Sequence, residues 1–238
     1  MPSTTAKSYF WKGIRDSSPF IFVAGPFGLL FGVLATEAGL KLFETMTFTM
    51  TVFAGAAQFA ALQLMQENAP TLIVLASALA VNLRVAMYSA SLTPYLGAAP
   101  LWQRALVAYF TVDQSYALSV VQFETDKSMS LPERLAYFAG TCALIAPFWY
   151  GATLVGAVMG SRIPESWALD FALPIAFLAM IAPMLRTTAH IVAAVVSIVT
   201  AIAAAGLPYN SGLLIAGLAA MMAGARTEVW LQRRGLWT

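Results

Sequence analysis

Long apolar runs alternate with short polar stretches along almost the whole chain. A helix rises about 1.5 Å per residue, so about 20 apolar residues cross the ~30 Å hydrocarbon core of a bilayer. Strands of a membrane barrel would instead show short segments of alternating polarity. The pattern predicts an all-α polytopic transmembrane helical bundle. Its eight candidate spans fall at about residues 17–38, 46–66, 71–91, 101–123, 135–159, 168–186, 188–205 and 210–230.

Seven or eight spans are consistent with this pattern. Segments six and seven are joined by very few residues, so a seven-span bundle with one re-entrant or half-length element stands beside the eight-span bundle. Gly and Pro lie near the middle of several segments, at residues 24–32, 146–151 and 171–183. Proline removes a backbone donor, and lipid satisfies no freed backbone group. We therefore expect several helices to be broken by Gly/Pro, with simple kinks as the alternative.

Residues 16–26 and 170–183 each contain an Asp followed by two prolines at similar spacing. The match suggests an inverted repeat of the kind found in secondary transporters, although two prolines also match by chance. The predicted organisation is a cytoplasmic N-terminal segment (1–16), a single transmembrane transporter domain (17–230) and a cytoplasmic C-terminal tail (231–238).

Composition places the chain in the membrane class. Its 60% hydrophobic and 10% charged residues compare with roughly 45–50% and 25% in soluble domains. The first sixteen residues are polar and no small-residue cleavage site follows them, so we expect the first apolar segment to stay as a span. A net charge of +2 gives no indication of nucleic-acid binding.

The basic residues predict the orientation, because cytoplasmic loops carry the excess of Lys and Arg. With the N-terminus inside, three basic residues fall in outer loops, namely Lys41, Arg104 and Arg162. Nine fall on the cytoplasmic side: Lys7, Lys12, Arg15, Lys127, Arg134, Arg186, Arg226, Arg233 and Arg234. Both termini are therefore predicted to be cytoplasmic.

One arginine is left over, deep inside the apolar run ALAVNLRVAMYSASL of residues 78–92. Arg84 lies roughly 5 Å from the midplane by helix rise, where an arginine costs about 2.5–3.5 kcal/mol and normally pairs inside the bundle. Asp113, in TVDQSYAL, is the only acidic residue placed so deep in a predicted span. The two residues are predicted to form an ion pair, either purely structural or used in function.

Other polar groups at similar depth favour a polar cavity at the midplane. They are Gln58, Asn82, Gln114 and the Gly25 and Pro26 break. On a regular helix, Tyr88 and Ser91 share the Arg84 face, and Tyr109 and Tyr116 share the Asp113 face. Asn82 and Gln58 are also explained by helix-to-helix hydrogen bonds.

The sequence lacks the residue patterns of common enzymes and metal sites. Cys142 lies in an apolar segment without Cys or His companions, and His190 near a segment start has no second ligand. Neither GxSxG nor HExxH occurs. We therefore expect no enzyme activity, no metal and no cofactor. A channel is disfavoured because no selectivity-filter signature is present.

The motifs AGAAQF, NLRVAMYSASL, TVDQSYAL and LDFALPIAFLAM, in this order, resemble the AzlC family of bacterial branched-chain amino-acid exporters over about residues 13–225. The resemblance implies a permease of the bacterial cytoplasmic (inner) membrane that exports valine, leucine or isoleucine. It also implies a small AzlD-type membrane subunit as partner. Family residues then fall on Ala54, Gly55, Ala57, Gln58, Phe59, Arg84, Tyr88, Asp113, Leu173 and Pro174.

Two positions depart from the family pattern. Val85 and Gln114 stand where the family commonly has histidine and glutamate, so two titratable groups are lost. Ion coupling would then rest mainly on Asp113, or the ion or substrate differs.

These observations lead to a transport hypothesis. An amino acid binds near the midplane, with its carboxylate at Arg84 or at amides freed near Gly25 to Gly28, and its ammonium at Asp113. Export is coupled to a proton or cation. The alternative is a structural or assembly subunit in which the Arg84–Asp113 pair only organises helices for a partner.

Overall fold

The computed structural model describes residues 5–160, 185, 187–207 and 212–234, and this part of the chain contains helices and no strand. Two compact units form, one from Met1–Phe59 with Val81–Trp167 and the other from Ala60–Ala80 with Ala168–Thr238. The helices are α1 (Ala6–Ser17), α2 (Ile21–Glu37), α3 (Leu42–Thr51), α4 (Gly55–Gln66), α5 (Thr71–Leu96), α6 (Leu101–Phe110), α7 (Asp113–Thr125), α8 (Leu131–Gly160), α9 (Thr188–Ala203) and α10 (Gly212–Arg233).

Within the described residues, three helices are long and apolar enough to cross a membrane: Ala6–Glu37, Thr71–Leu96 and Leu131–Gly160. The first consists of α1 and α2 joined by the short 3-10 turn Ser18–Phe20. Most of the predicted N-terminal polar segment is therefore helix α1. The helical membrane class is confirmed.

Two predicted crossings are pairs of short helices instead. Segment 46–66 is interrupted at residues 52–54, between α3 and α4, and segment 101–123 at residues 111–112, between α6 and α7. Val52 and Thr111 leave helical geometry at these points, with ψ values of 84° and 109°. Each of these segments is therefore two short helices, and the number of membrane crossings stays a prediction.

The predicted Gly/Pro breaks were wrong where the structure describes them. Helices α2 and α8 continue through Pro26 and Pro147. A proline removes only one helical hydrogen bond, and close packing between α2 and α8 holds both helices together. Residues 171–183, and with them the second copy of the suggested repeat, lie outside the described residues.

Helices α6 and α7 form a helical hairpin, called here the second hairpin. The Tyr88 hydroxyl of α5 donates to Asp113 at the start of α7, and the Tyr95 ring packs 5.4 Å from Phe123 near its end. Helices α5 and α7 thus run in the same direction. Since α6 connects the end of α5 with the start of α7, it runs back toward the middle.

The chain also reverses at residues 52–54, where α3 and the start of α4 form the first hairpin. The rings of Phe48 and Phe59 both pack on Phe31, at 5.6 and 5.8 Å, whereas an unbroken helix would separate them by roughly 16 Å. The Gln58 amide donates to Thr49 at 3.0 Å, again across the turn.

Glycines bring the first long helix and α8 into backbone contact. A Cβ on Gly13 would lie 2.3 Å from the Tyr137 carbonyl oxygen, and one on Gly32 would lie 2.2 Å from that of Thr153. The two helices therefore run parallel, joined by the small-residue packing common in membranes. Because α3 follows the end of α2, the two hairpins enter from opposite ends of this scaffold.

In the other unit, α9 and α10 pack against each other. The Thr187 side chain caps α9 by accepting from the backbone N–H of His190 at 3.2 Å. Position 190 therefore lies in the first turn of a helix, with an exposed side chain.

We expect Gly156→Ala to destabilise the protein. The new Cβ would lie 2.0 Å from the Leu29 carbonyl oxygen, and overpacking costs about 1–3 kcal/mol. Thermal unfolding in detergent should show a lower Tm. Gly151→Ala on the same helix is the control, because no described atom lies within 4 Å of its Cβ position. Equal Tm values for the two variants would contradict the packing.

Cysteine labelling can test the second hairpin in a Cys142→Ala background. Single variants Ala98→Cys, Lys127→Cys and Lys41→Cys, all at exposed positions, are treated with an impermeant maleimide in intact cells and in inverted vesicles. A hairpin places positions 98 and 127 on one side and 41 on the other. Labelling of 98 together with 41, opposite 127, would show a complete crossing.

Candidate functional site

The predicted ion-pair partner of Arg84 is confirmed. Arg84 on α5 and Asp113, the first residue of α7, form an ion pair with 3.0 Å between Nη1 and Oδ2. Their side chains are 27% and 41% exposed. The pair is therefore neither sealed in the core nor fully on the surface.

The second hairpin gives Asp113 a setting that suits a negative charge. A helix N-terminus carries a partial positive charge from its unpaired N–H groups. The hydroxyl of Tyr88 donates to Asp113 Oδ1 at 2.9 Å, so each carboxylate oxygen has a partner.

Stacked tyrosines join α5 to α7 beside the pair. The rings of Tyr88 and Tyr116 lie 4.2 Å apart and almost parallel, at 10°. The Tyr116 hydroxyl donates to Ser91 at 3.1 Å. The predicted polar face of α5 and the Tyr116 face of α7 are thus in contact.

Tyr109 does not share the face of Asp113, because the chain breaks between them and the i−4 relation is lost. Its hydroxyl donates to the carbonyl oxygen of Met50 and lies 2.9 Å from the Tyr150 hydroxyl. Tyr109 therefore joins α6 to α3 and α8.

Two polar atoms near the pair remain unused. Arg84 Nε and Asn82 Oδ1 are buried without a hydrogen-bond partner in the described part of the chain. The predicted helix-to-helix bond of Asn82 Oδ1 is thus not present there. Gln114 lies half-buried in the first turn of α7. A guanidinium has five N–H donors, so Arg84 can bind a further acceptor beside Asp113.

Ser115 forms hydrogen bonds with backbone groups at the tip of the second hairpin. Its Oγ accepts from the backbone N–H of Val112 at 2.9 Å and donates to the carbonyl oxygen of Phe110 at 3.0 Å. Cys142 Sγ lies 3.5 Å from the same Phe110 oxygen. These bonds take up backbone groups that the break between α6 and α7 frees.

Gln58 does the same at the tip of the first hairpin. Its side chain is fully buried, and its amide donates to Val52 O at 2.6 Å and to Thr49 Oγ1 at 3.0 Å. Trp149 Nε1 donates to the same Thr49 oxygen at 2.8 Å. Gln58 thus supports the hairpin tip. It makes no hydrogen bond to Arg84 or Asp113, beside which the sequence had predicted a polar cavity.

The two tips meet. Phe53, between α3 and α4, packs its ring on three aromatic rings of α6 and α8, namely Tyr109, Phe110 and Tyr150, at 5.4–6.1 Å. Sequence reasoning missed this aromatic contact. A Thr-Val pair at both breaks, residues 51–52 and 111–112, is the one shared signal.

The Gly25 to Gly28 stretch does not supply free amides, so this part of the predicted site was wrong. Helix α2 is continuous there. A Cβ on Gly25 would lie 2.7 Å from the Phe148 ring, and one on Gly28 would lie 3.0 Å from the Trp149 carbonyl oxygen. Gly25 and Gly28 belong to the α2–α8 contact, whereas Pro26 is exposed. Pro174 lies outside the described residues.

The comparisons with known proteins agree on one family. The family model described as AzlC protein matches residues 19–163. An uncharacterized membrane protein of Archaeoglobus fulgidus is 30% identical over 224 residues, covering 92% of this chain and 95% of the relative. The inner membrane protein YgaZ of Escherichia coli is 24% identical over 178 residues, covering 72% and 71%. No solved structure matches the chain significantly.

Gln58→Met should destabilise the protein while keeping the side-chain volume. It leaves the Val52 carbonyl without its side-chain donor, a loss of about 1–3 kcal/mol, or roughly 2–4 °C in Tm per kcal/mol for a chain of this size. Gln63→Met is the control on the same helix, because Gln63 bonds only weakly to Glu67 at 3.4 Å. An unchanged Tm for Gln58→Met would contradict the proposed support of the tip.

Proposed function

The chain belongs to the AzlC family of membrane proteins, and from this premise we propose that it is an ion-coupled secondary transporter exporting branched-chain or related amino acids. The observation that carries the proposal is the Arg84–Asp113 pair, partly exposed at the tip of a helical hairpin. Ionisable residues inside a membrane span usually mark a substrate or ion pathway.

The pair suits a zwitterion. A substrate carboxylate can accept from the N–H groups of Arg84 that Asp113 leaves unused, and the substrate ammonium can donate to Asp113. Each charge of the substrate then replaces one charge of the pair. A purely anionic substrate would leave Asp113 without a partner, and an uncharged substrate would replace neither charge of the pair.

The hairpins support a site near the midplane. Helices α3 and α6 have ten residues each, about 15 Å in length and so half a hydrocarbon core. Non-helical backbone at membrane depth is tolerated where it is buried in protein or lines a water-filled cavity. Transporters commonly bind substrates and ions at such interrupted helices.

Ion coupling follows from the partners of Asp113. When Arg84 turns to a substrate carboxylate, Asp113 keeps only the Tyr88 hydroxyl and the helix N-terminus. A proton or the substrate ammonium then neutralises it.

The orientation is proposed from the basic residues of the first unit. The end holding the start of α1 and the second hairpin carries Lys7, Lys12, Arg15, Arg104, Lys127 and Arg134. The opposite end, between α2 and α3, carries Lys41. The positive-inside rule favours a cytoplasmic N-terminus. The Escherichia coli relative YgaZ is an inner membrane protein, which supports an inner-membrane location. A small AzlD-type subunit is proposed as partner.

Counterflow of radiolabelled leucine, isoleucine and valine in proteoliposomes, with and without a co-expressed small membrane subunit, tests the proposal. Arg84→Gln should abolish exchange, because the substrate carboxylate loses its donor. Asp113→Asn should lose its pH response. Arg104→Gln, which removes an exposed arginine, is the control. Full counterflow in Arg84→Gln, or an intact pH response in Asp113→Asn, would contradict the assigned roles.

Exchanging the two charges distinguishes the transport role from the alternative assembly role. A chain with both Arg84→Asp and Asp113→Arg retains an ion pair but places each charge on the other helix. Folding without transport is expected if the site binds a zwitterion. Restoration of both folding and transport would favour a pair that only organises helices.

A further inference from the structure

Two buried hydroxyls, one on α3 and one on α8, lack the bond that threonine can make in a helix. A helical threonine can donate to a carbonyl oxygen one turn earlier, and Thr36, Thr51 and Thr125 do so. Thr45 on α3 and Thr153 on α8 have no hydrogen-bond partner among the described residues, although both side chains are fully buried. Buried hydroxyls are nearly always bonded, so these two indicate a further partner.

Gln58 contributes a third oxygen of this kind. Its amide nitrogen donates to Val52 O and to Thr49 Oγ1. A carbonyl oxygen can only accept, so the Val52 carbonyl fixes which end of the Gln58 amide faces it. The other end, Oε1, is buried and has no partner in the described part of the chain.

Helix α3 runs antiparallel to α8. The end of α2 lies beside the end of α8, since a Cβ on Gly160 would lie 3.2 Å from the side chain of Thr36. Helix α3 follows α2 after a short loop. Its last turn reaches Trp149, whose Nε1 donates to Thr49 Oγ1 at 2.8 Å. From its start to its end, α3 therefore passes back along α8 from Gly160 toward Trp149.

The Thr49–Trp149 contact places the three oxygens close to one another. Thr45 lies one turn before Thr49 on the same face of α3, and Thr153 lies one turn after Trp149 on the same face of α8. Because the helices are antiparallel, both hydroxyls lie on the same side of the contact. Gln58 binds the same Thr49 oxygen from α4. None of the three oxygens is hydrogen-bonded to another, so a further atom is needed to join them.

These three atoms, called here the oxygen cluster, are Thr45 Oγ1, Gln58 Oε1 and Thr153 Oγ1. All are neutral oxygens with free lone pairs. Calcium and magnesium are usually bound through carboxylates. Glu44, the acidic residue of α3, is exposed and instead accepts from the Lys41 backbone N–H. A cluster without a carboxylate suits an ion with a single positive charge.

The interruption of the first hairpin adds to this preference. Helix α3 ends at Thr51, next to the Val52 carbonyl that Gln58 binds. The last turn of a helix carries a partial negative charge, which favours a cation. Half-helix ends and unwound carbonyls of this kind coordinate Na⁺ in membrane proteins.

We propose that the oxygen cluster binds a sodium ion that holds the first hairpin against α8. The ion joins α3, α4 and α8 through one oxygen from each, and so supplies the partner that the two hydroxyls and the Gln58 oxygen lack. The inference concerns ion binding and does not rest on the transported substrate or on the Arg84–Asp113 pair.

Thermal unfolding of the purified full-length chain in detergent tests the site, with NaCl compared with choline chloride at equal ionic strength. A ligand that binds only the folded state raises Tm with the logarithm of its concentration. Each tenfold increase in Na⁺ above its Kd should therefore add roughly 3–5 °C to Tm for a chain of this size. Choline is too large to lie between the three oxygens and should add nothing beyond the effect of ionic strength.

Thr45→Val and Thr153→Val remove one oxygen each at almost constant volume. Both should lose the Na⁺-dependent rise in Tm, yet neither should lower Tm in choline, because a buried hydroxyl without a partner does not stabilise the fold. Thr153→Ser keeps the hydroxyl and should keep the Na⁺ response. Thr141→Val is the control on α8, because that fully buried hydroxyl already donates to Phe138 O.

Three results would overturn the site. The first is an equal Tm of the wild-type chain in Na⁺ and choline, which needs no substitution and so decides even where a variant fails to fold. The second is a full Na⁺ response in both valine variants. The third is a fall in Tm of both valine variants that is the same in the two salts, since ordered water would then be the partner of the hydroxyls.

Discussion

The interrupted helices depend on one constraint, that every backbone N–H and C=O at membrane depth must find a partner. The side chains that meet it are Gln58 for the Val52 carbonyl, Tyr109 for the Met50 carbonyl and Ser115 for the groups around Val112. Without them, each tip would leave polar groups unpaired at a cost of about 1–3 kcal/mol apiece. The hairpins, and the charge pair at one tip, follow from these bonds.

The unit combines a tightly packed scaffold with a loosely packed arm. Glycines bring the backbone of the first long helix against α8. Helix α6 contrasts with this, because none of its residues is buried by the described part of the chain. Cavities of about 540 and 240 Å³ flank it, toward α8 and toward α5. Helix α7 is held by Ser115 and by the Lys12–Gln122 bond.

The sequence predicted the charge pair because burial of a lone arginine is costly wherever the helices lie. It did not predict the hairpins, because two short apolar helices have the same length and hydropathy as one span. Proline did not mark the helix breaks, because α2 and α8 remain helical at Pro26 and Pro147. The breaks occur at Thr-Val pairs, and the groups that stabilise them become neighbours only after the chain has turned back.

The partial exposure of the pair decides whether it can work as a binding site. A fully buried ion pair that loses one partner leaves an uncompensated charge, at a cost of about 3–5 kcal/mol, whereas an exposed pair contributes roughly 0–1 kcal/mol. Arg84 and Asp113 lie between these limits, at 27% and 41% exposure. A zwitterion that replaces both partners avoids the cost of a single lost charge.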